Sequence, residues 1–524
     1  MKKFRIVLCS LVLMLVMAAS IFAGGGQAAQ PMDSWAPNRN NFNPASFPAA
    51  PANYTIGILT ISHDGTIIAN NHPSVLRLQE HTGFNINLQY VLNANYNEQI
   101  NTRLASRDMP GIMVLLGNTG PIVTAAQSGA FWDITDVYEM YPELARADRN
   151  ILNNISIGGR IYGIYRERTV GRAGMVYRSD WLDNLGLSVP RTLDELYRVL
   201  HAFTHNDPDR NGVNDTYGMT WTGFYMGPFY DLAVMHGAPN RFGIRNGQLT
   251  PWFEYEEFIQ ALDFSKRLFD EGLINRDFAA LQTSEWTIAI QTNRAGWHMD
   301  VADEGSRTAT RLRDNGFMTA EAFSRGEQIW IMGSVENSRG QMFSRPTPGH
   351  AGYVAVSTAG ARTLQDLHYH LTFLNYLNDP IGVNLLNWGS EGVNHRRNPD
   401  GTLTSIPAAE IPNGWDVTAG WNQFRMMEHN SLVMSQNIYQ IRHSEVYLEN
   451  LPIAVHDPSL PLAMLAPTWV ARSQSLNQII DDAIINYIMG NIDRAGFQRE
   501  VDRWYSQDGR QALAELQAAL EAAR

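Results

Sequence analysis

Between Tyr54 and Leu116 the apolar pattern changes period four times. Tyr54–Ile61 is a strand-length run, and Pro73–His81 is a short helix stopped by Gly83. Asn85–Val91 alternates as a strand, and Asn95–Arg107 carries Tyr96, Ile100 and Leu104 on one helical stripe. Gly111–Leu116 is continuously apolar, the mark of a strand covered on both faces. Strand and helix in strict alternation predict an α/β architecture, because each helix must cover the sheet that its flanking strands build. Further strand signals follow at Gly159–Tyr165, Ala173–Arg178, Tyr217–Trp221, Arg294–Met299 and Ala351–Ser357. Helical patterns cover Arg191–Thr204, Glu254–Gly272, Ser284–Asn293, Thr363–Leu377 and the chain after about Gln474. A chain of 524 residues is too long for one ordinary core, so two or more domains are expected.

The helix over Arg191–Thr204 has a capping-box signature, Thr192 and Glu195, and a buried stripe of Leu196, Val199, Leu200 and Phe203. It runs into Asn206–Gly218, NDPDRNGVNDTYG. Asp207, Asp209, Asn211, Val213 and Asp215 alternate around Gly212. This is the ligand spacing of the front half of a calcium loop: side-chain oxygens at positions 1, 3 and 5, a backbone carbonyl at 7, a carboxylate at 9 and glycine at the turn. Position 12, where a complete loop has a bidentate glutamate, is Gly218. The expectation is a structural calcium ion, modestly held; the competing reading is an Asx-rich turn without metal.

Net charge is −12, and the cationic Lys2, Lys3 and Arg5 all lie in the first few residues. That argues against nucleic acid or an anionic membrane as partner. Residues 1–23 read as a secretory leader: a basic start, an apolar run from Ile6 to Met17, then Ser20-Ile21-Phe22-Ala23 with a small residue before the cleavage point. The only cysteine, Cys9, lies inside that run with very little apolar sequence before it. The expectation is therefore export to the periplasm or exterior without a lipid anchor. A mature chain without cysteine has no disulfides, thiol nucleophiles or CxxC metal sites. Residues 24–52, rich in Gly, Ala, Pro and Asn, read as a flexible linker.

Several stretches in this order resemble the extracellular solute-binding proteins of ABC importers, in particular the family of alginate-oligosaccharide and lipoprotein-type sugar binders. They are Thr82-Gly83, Asn101–Pro110, Gly159–Gly163, Tyr177–Leu182, Pro190–Leu196, Asp207–Gly218, Gly352–Val356 and Gly389–Asn394. The resemblance implies a two-lobe, periplasmic binding protein-like (type II) fold with the ligand cleft between the lobes. It also implies calcium at the Asp207–Asp215 loop in relatives that keep it. Three positions depart from the family pattern: Gly111 where an aspartate follows the proline, Tyr165 where proline is common, and Thr216 where the alginate binder has an acidic ligand. The expected lobes are 54–165 with 285–350, and 166–284 with 351–524.

Sugar rings present apolar CH faces that stack on aromatic side chains, while polar groups take the hydroxyls. On this basis the ligand-binding candidates are Tyr165 at the expected crossover, Trp221 past the calcium loop, and Trp297 after Ala295-Gly296. Trp388 and Glu391 beside the Gly389–Gly392 turn complete the set. A packing role for each aromatic is an equal alternative. H-E-x-x-H, G-x-S-x-G, P-loop and G-x-G-x-x-G patterns are missing, and no catalytic residue is assigned. The expected function is the substrate-binding component of an ABC transporter, a monomer that delivers a sugar or oligosaccharide to permease transmembrane subunits. The alternatives are an exported, calcium-stabilised carbohydrate-active enzyme and an importer component for peptides or lipids.

Overall fold

The computed structural model describes residues 35–522, apart from 64, 66, 224–225, 282–284, 408–409, 413–422 and 434–435. The expected leader at 1–23 and the first part of the expected linker lie outside the described residues. The strands are β1 (Thr55–Ser62), β2 (Asn85–Leu92), β3 (Ile112–Leu115), β4 (Gly163–Glu167), β5 (Ala173–Arg178), β6 (Tyr217–Thr220), β7 (Phe242–Arg245), β8 (Gln248–Pro251), β9 (Ala295–Val301), β10 (Ile329–Met332), β11 (His350–Val356), β12 (His395–Arg397) and β13 (Leu403–Ser405).

Nine of these strands form two sheets. The first has the order β2-β1-β3-β11-β4, the second β10-β5-β9-β6. In the first, β1 is parallel to β2 and β3, while β11 runs antiparallel between β3 and β4. In the second, β5 is antiparallel to both β10 and β9, and β9 is parallel to β6. β7–β8 and β12–β13 are separate antiparallel pairs. The fully apolar β3 is buried at every position, as a central strand covered on both faces must be.

Each sheet has its own core. The first gathers Ile58, Met113, Val354 and Leu371 and draws on residues 35–165 and 353–427. The second gathers Met175, Phe203, Trp297 and Ile484, and a smaller cluster holds Val176, Ile331 and Tyr439. The chain therefore passes between the two units three times. This differs from the expected lobes: β9 and β10, within 285–350, join the second sheet, and β11, within 351–524, joins the first. An apolar strand signal reports burial and says nothing about which partner strand the chain returns to.

The expected linker is also different over 35–52. Trp35 and Phe42 are buried in the first core, and the Trp35 carbonyl accepts a hydrogen bond from the Asp133 N–H. Two aromatic anchors outweigh a composition that otherwise favours disorder.

Local signals fared well where capping chemistry was explicit. Helix Pro73–Thr82 starts at a proline and ends on Gly83 in the left-handed region, φ 74°. In helix Leu193–His205, Thr192 accepts from the Glu195 N–H, and Leu196, Val199, Leu200 and Phe203 are all buried. The Glu195 carboxylate reaches one residue beyond the cap, to the Arg191 N–H at 2.8 Å. The pattern over Ser284–Asn293 yields only the short helix Ile288–Gln291. No helix among the described residues is long and apolar enough to cross a membrane.

Candidate functional site

The three passages between units are bound to one another. β4 leads into β5 through residues 168–172, β10 into β11 through 333–349, and Met427 into helix Ile438–Asn450 through 428–437. The Arg168 N–H donates to Gly349 O at 3.0 Å and Thr347 N–H to Val170 O at 2.9 Å. Glu167 N–H donates to Met426 O at 3.0 Å, and Glu428 N–H to the Glu167 carboxylate at 2.8 Å. Asn450 Nδ2 donates to the carbonyls of Gly171 and Ala173. A Cβ at Gly171 would collide with the Tyr447 carbonyl, so this close approach requires glycine.

Strand directions then fix where the open ends of the sheets lie. β1, β3 and β4 run the same way, and β4 enters the crossover at its carboxyl end. Ala173 opposite Val301 puts the carboxyl end of β9, and of β6 parallel to it, at the crossover edge of the second sheet. Both units thus present strand carboxyl ends toward the crossovers, the location where open α/β sheets hold ligands.

Those ends carry buried polar groups. Arg166, on β4, is almost fully buried. Its Nη1 donates to Ala351 O at 2.7 Å and its Nη2 to Gln423 Oε1 at 2.6 Å, while Nε has no partner among the described residues. Burial, and then the nearby Arg168 charge, pull its pKa down to about 9. Arg168 is drawn down to about 10 by burial and Arg172. On the second unit the Trp221 indole N–H, the Thr222 hydroxyl and both ring nitrogens of His298 are buried without hydrogen-bond partners among the described residues. Burial pushes His298 down to about 4, so the ring is neutral at pH 7.

The residues singled out in the sequence fall in separate surroundings. Trp221 and Trp297 have 0% exposure and belong to the second core. Trp297 stacks on Tyr177 with centroids 4.9 Å apart, and Trp221 meets Phe278 edge-on. Neither ring offers a face to a ligand, because large aromatics fill the gap between sheet and helices before they line a cleft. Tyr165, 3% exposed, turns away from Arg166, and its hydroxyl accepts the Asp148 N–H at 2.9 Å. Trp388 is half-buried and donates its indole N–H to Leu432 O at 2.9 Å. Glu391 is exposed, 3.8 Å from Arg397. Arg166, Arg168, Gln423, Thr222 and His298, whose polar atoms gather at these strand ends, belong to no local motif. The available signal was an arginine inside the apolar strand Gly163–Glu167, which has no reason to be there unless it is satisfied or used.

The Asp207–Asp215 loop closes on itself. Asp207 accepts from the N–H groups of Asn211 and Gly212 at 3.1 and 3.0 Å. Gly212 has φ 80°, as the turn requires. The Asn211 amide nitrogen lies between the Asp209 and Asp215 carboxylates, at 3.0 and 3.3 Å. Asp209 Oδ1 is buried and unpartnered; burial raises the Asp209 pKa. Among the described residues, no group of three or more His, Cys, Asp or Glu side chains is gathered closely enough to hold a metal ion. Thr216 donates its hydroxyl to Phe203 O, and Gly218 enters β6 with its N–H on Thr204 Oγ1. A Cβ at Gly218 would stand 2.7 Å from Leu200 O and 2.9 Å from Leu273 O, so this backbone has no room for a glutamate at position 12. Gly111 departs from the family pattern for a similar reason, since any side chain there would collide with His370.

Comparison with known proteins agrees with this architecture. A family model described as bacterial extracellular solute-binding protein matches residues 75–293. Lipoprotein LipO of Bacillus subtilis is 34% identical over 455 residues, covering 86% of this chain and 88% of LipO. The chain belongs to the bacterial extracellular solute-binding proteins. The polygalacturonan/rhamnogalacturonan-binding protein YtcQ of B. subtilis is 28% identical over 454 residues, covering 86% and 88% of the two chains. Among solved structures, the Streptococcus pneumoniae ABC-transporter substrate-binding protein FusA in complex with kestose superimposes with a TM-score of 0.66. The identity is 16%, over 90% of this chain and 99% of FusA. That likeness carries the two-lobe fold. FusA has also been solved as an EF-hand mutant.

In a two-lobe solute-binding protein the ligand cleft lies between the lobes, where the crossovers run. Donors dominate at Arg166 and Arg168, while Thr222 and the neutral His298 can donate or accept. Such a set suits a polyhydroxylated ligand. The family and these neighbours are binding proteins rather than enzymes.

Proposed function

We propose that the chain is the substrate-binding component of an ABC importer, capturing a sugar or oligosaccharide between its two lobes and passing it to permease transmembrane subunits. One observation carries this reading: the strand carboxyl ends of both sheets meet a single crossover bundle and carry buried polar atoms without a partner among the described residues. The polygalacturonan and rhamnogalacturonan named for YtcQ and the kestose bound by FusA support it. A ligand touching both lobes favours the closed form because its affinity for that form is higher. The protein acts as a monomer and turns nothing over. Incubation with oligosaccharides tests this: a rise in melting temperature with the saccharide recovered intact supports the reading, and product formation overturns it.

Calcium belongs to the same reading as a structural clip on the second lobe. Asp207, Asp209, Asn211 and Asp215 would supply side-chain oxygens and Val213 its carbonyl. The unpartnered Asp209 Oδ1 and the convergence of Asp209 and Asp215 on one amide nitrogen fit oxygen ligands for a hard cation. The ion braces the loop after helix Leu193–His205.

Export through the leader at 1–23 is part of the proposal. The lipoprotein relative makes anchorage through Cys9 the alternative to a free protein. The mass of the mature amino terminus distinguishes a diacylated cysteine from cleavage near Ala23.

A further inference from the structure

We propose that Arg166, with Arg168 beside it, seats a carboxylate of the captured sugar, so that the ligand is an oligosaccharide containing uronic acid. This rests on the sugar-binding reading above and narrows its substrate class.

The other well-buried arginines of this protein supply the standard. Arg172 directs its Nε and Nη2 edge at Asp303, with bonds of 2.9 and 2.8 Å. Arg178 directs the same edge at Asp180. Arg345 Nε donates to the Asp231 carboxylate at 2.7 Å. Each has its counter-charge. Arg166 is more deeply buried than Arg172, yet no carboxylate among the described residues pairs with it. On its Nε and Nη2 edge, Nη2 has only the neutral Gln423 Oε1 and Nε has nothing. That edge is the planar fork that matches a carboxylate bidentately.

The surroundings add to the imbalance. Arg168, two residues along, donates Nη1 to the Glu167 carbonyl and likewise has no ion pair among the described residues. Arg425, whose charge also bears on Arg166, is already matched by Glu428 at 2.8 Å. Two guanidinium groups without an ion pair among the described residues therefore stand at the carboxyl end of β4, beside the crossover, with Glu428 and Asp303 bearing on Arg168 only from farther off. Burying an uncompensated charge is costly, and a ligand that brings the opposite charge removes the cost. The chain as a whole is acidic, at −12, so a local cationic excess is not a general property of its surface. A uronate oxygen pair would displace Gln423 Oε1 from Nη2 and occupy Nε as well. The hydroxyls of the same sugar fall to neutral groups such as Thr222 and His298.

The test is calorimetric titration of the full mature chain with oligogalacturonate, oligomannuronate and oligoglucuronate, each paired with its carboxyl-reduced neutral counterpart of equal length. One acidic member is expected to bind at least tenfold tighter than its neutral counterpart, with affinity falling as salt rises. Arg166→Gln and Arg168→Gln should each erase that preference, while Arg396→Gln, on the exposed β12, leaves it intact. Arg168 is only partly buried, so its variant keeps the test valid if Arg166→Gln does not fold. Equal or tighter binding of the neutral counterparts overturns the inference and leaves sugar capture standing. An acidic preference that survives in Arg168→Gln and in a folded Arg166→Gln also overturns it. Binding of no saccharide, acidic or neutral, overturns the sugar reading itself.

Discussion

Arg172, the last residue of the first crossover, is clamped to Asp303 on the second unit by two hydrogen bonds of 2.9 and 2.8 Å. Arg307 and the Tyr447 hydroxyl converge on the same carboxylate. The point where the crossover enters the second lobe is thereby fixed. Although burial opposes it, the two arginines hold the Asp303 pKa far below the ordinary carboxylate value. A depressed carboxylate contributes stability that is fully present above its unfolded pKa of 3.8 and is lost as pH falls further. Asp303→Asn should cost about 3 kcal/mol at neutral pH, because two guanidinium groups lose their counter-charge. Urea unfolding at pH 7 measures it; a change under about 0.5 kcal/mol would show that the clamp is not structural.

Trp297 tests the distinction between packing and recognition. Its ring is fully buried against Tyr177 in the second core. Trp297→Ala should lower stability by about 4 kcal/mol, while the ligand affinity of the remaining folded protein changes little. Trp297→Phe should recover most of that loss. Chemical denaturation and ligand titration of the same variants separate the two effects, and a tenfold affinity loss at unchanged stability would return Trp297 to the cleft.

The contrast between Trp297 and Arg166 marks what was legible in the sequence. Strand and helix positions follow from periodicity and caps: Pro73, Gly83 and the Thr192–Glu195 pair act locally, and their bonds form within a few residues. Lobe membership does not follow, because β9 and β11 carry the same apolar signal and differ only in the distant strand that each meets. The same non-locality hid the site. A tryptophan after a glycine looks like a stacking platform, but Gly296 is there because Phe203 and Trp181 press on its backbone. Arg166 becomes informative only when Ala351 and Gln423, far along the chain, prove to be its hydrogen-bond partners among the described residues.

His370 should make stability depend on acidity. It is buried under the first sheet, its Nδ1 2.7 Å from the Asp366 carbonyl, which fits a neutral ring donating through Nδ1. Burial pushes its pKa from 6.5 to about 4. Between those values the unfolded chain binds the proton and the folded chain does not, so folded stability falls as pH drops from 6.5 towards 4. The drop of 2.5 pH units corresponds to at most about 3 kcal/mol. His370→Met should be less stable at pH 7 but show a flatter pH profile. The check is the difference between the two urea-unfolding profiles at pH 7, 6, 5 and 4; parallel profiles would refute the assignment.

The Asp207–Asp215 loop, proposed to hold calcium, gives the last prediction, and its two ends respond differently. If a cation completes Asp209 and Asp215, it binds the native loop and not the unfolded chain. Calcium at a hundred times its dissociation constant should then add about 2.7 kcal/mol of stability, removed by chelator. Asp209→Ala deletes the unpartnered buried oxygen and should abolish the calcium-dependent difference in melting temperature, while the calcium-free melting temperature moves little. Gly218→Glu looks like a repair of the missing twelfth ligand, but it should fail. Its Cβ would meet the Leu200 and Leu273 carbonyls at 2.7 and 2.9 Å, where β6 lies against helix Leu193–His205. Neither neighbour is a flexible side chain end, so the strand must shift. Gly218→Glu should therefore melt lower than wild type both with calcium and with chelator, and gain no affinity for the ion. A Gly218→Glu protein that binds calcium more tightly than wild type would mean that the loop, and not β6, sets the backbone at this position.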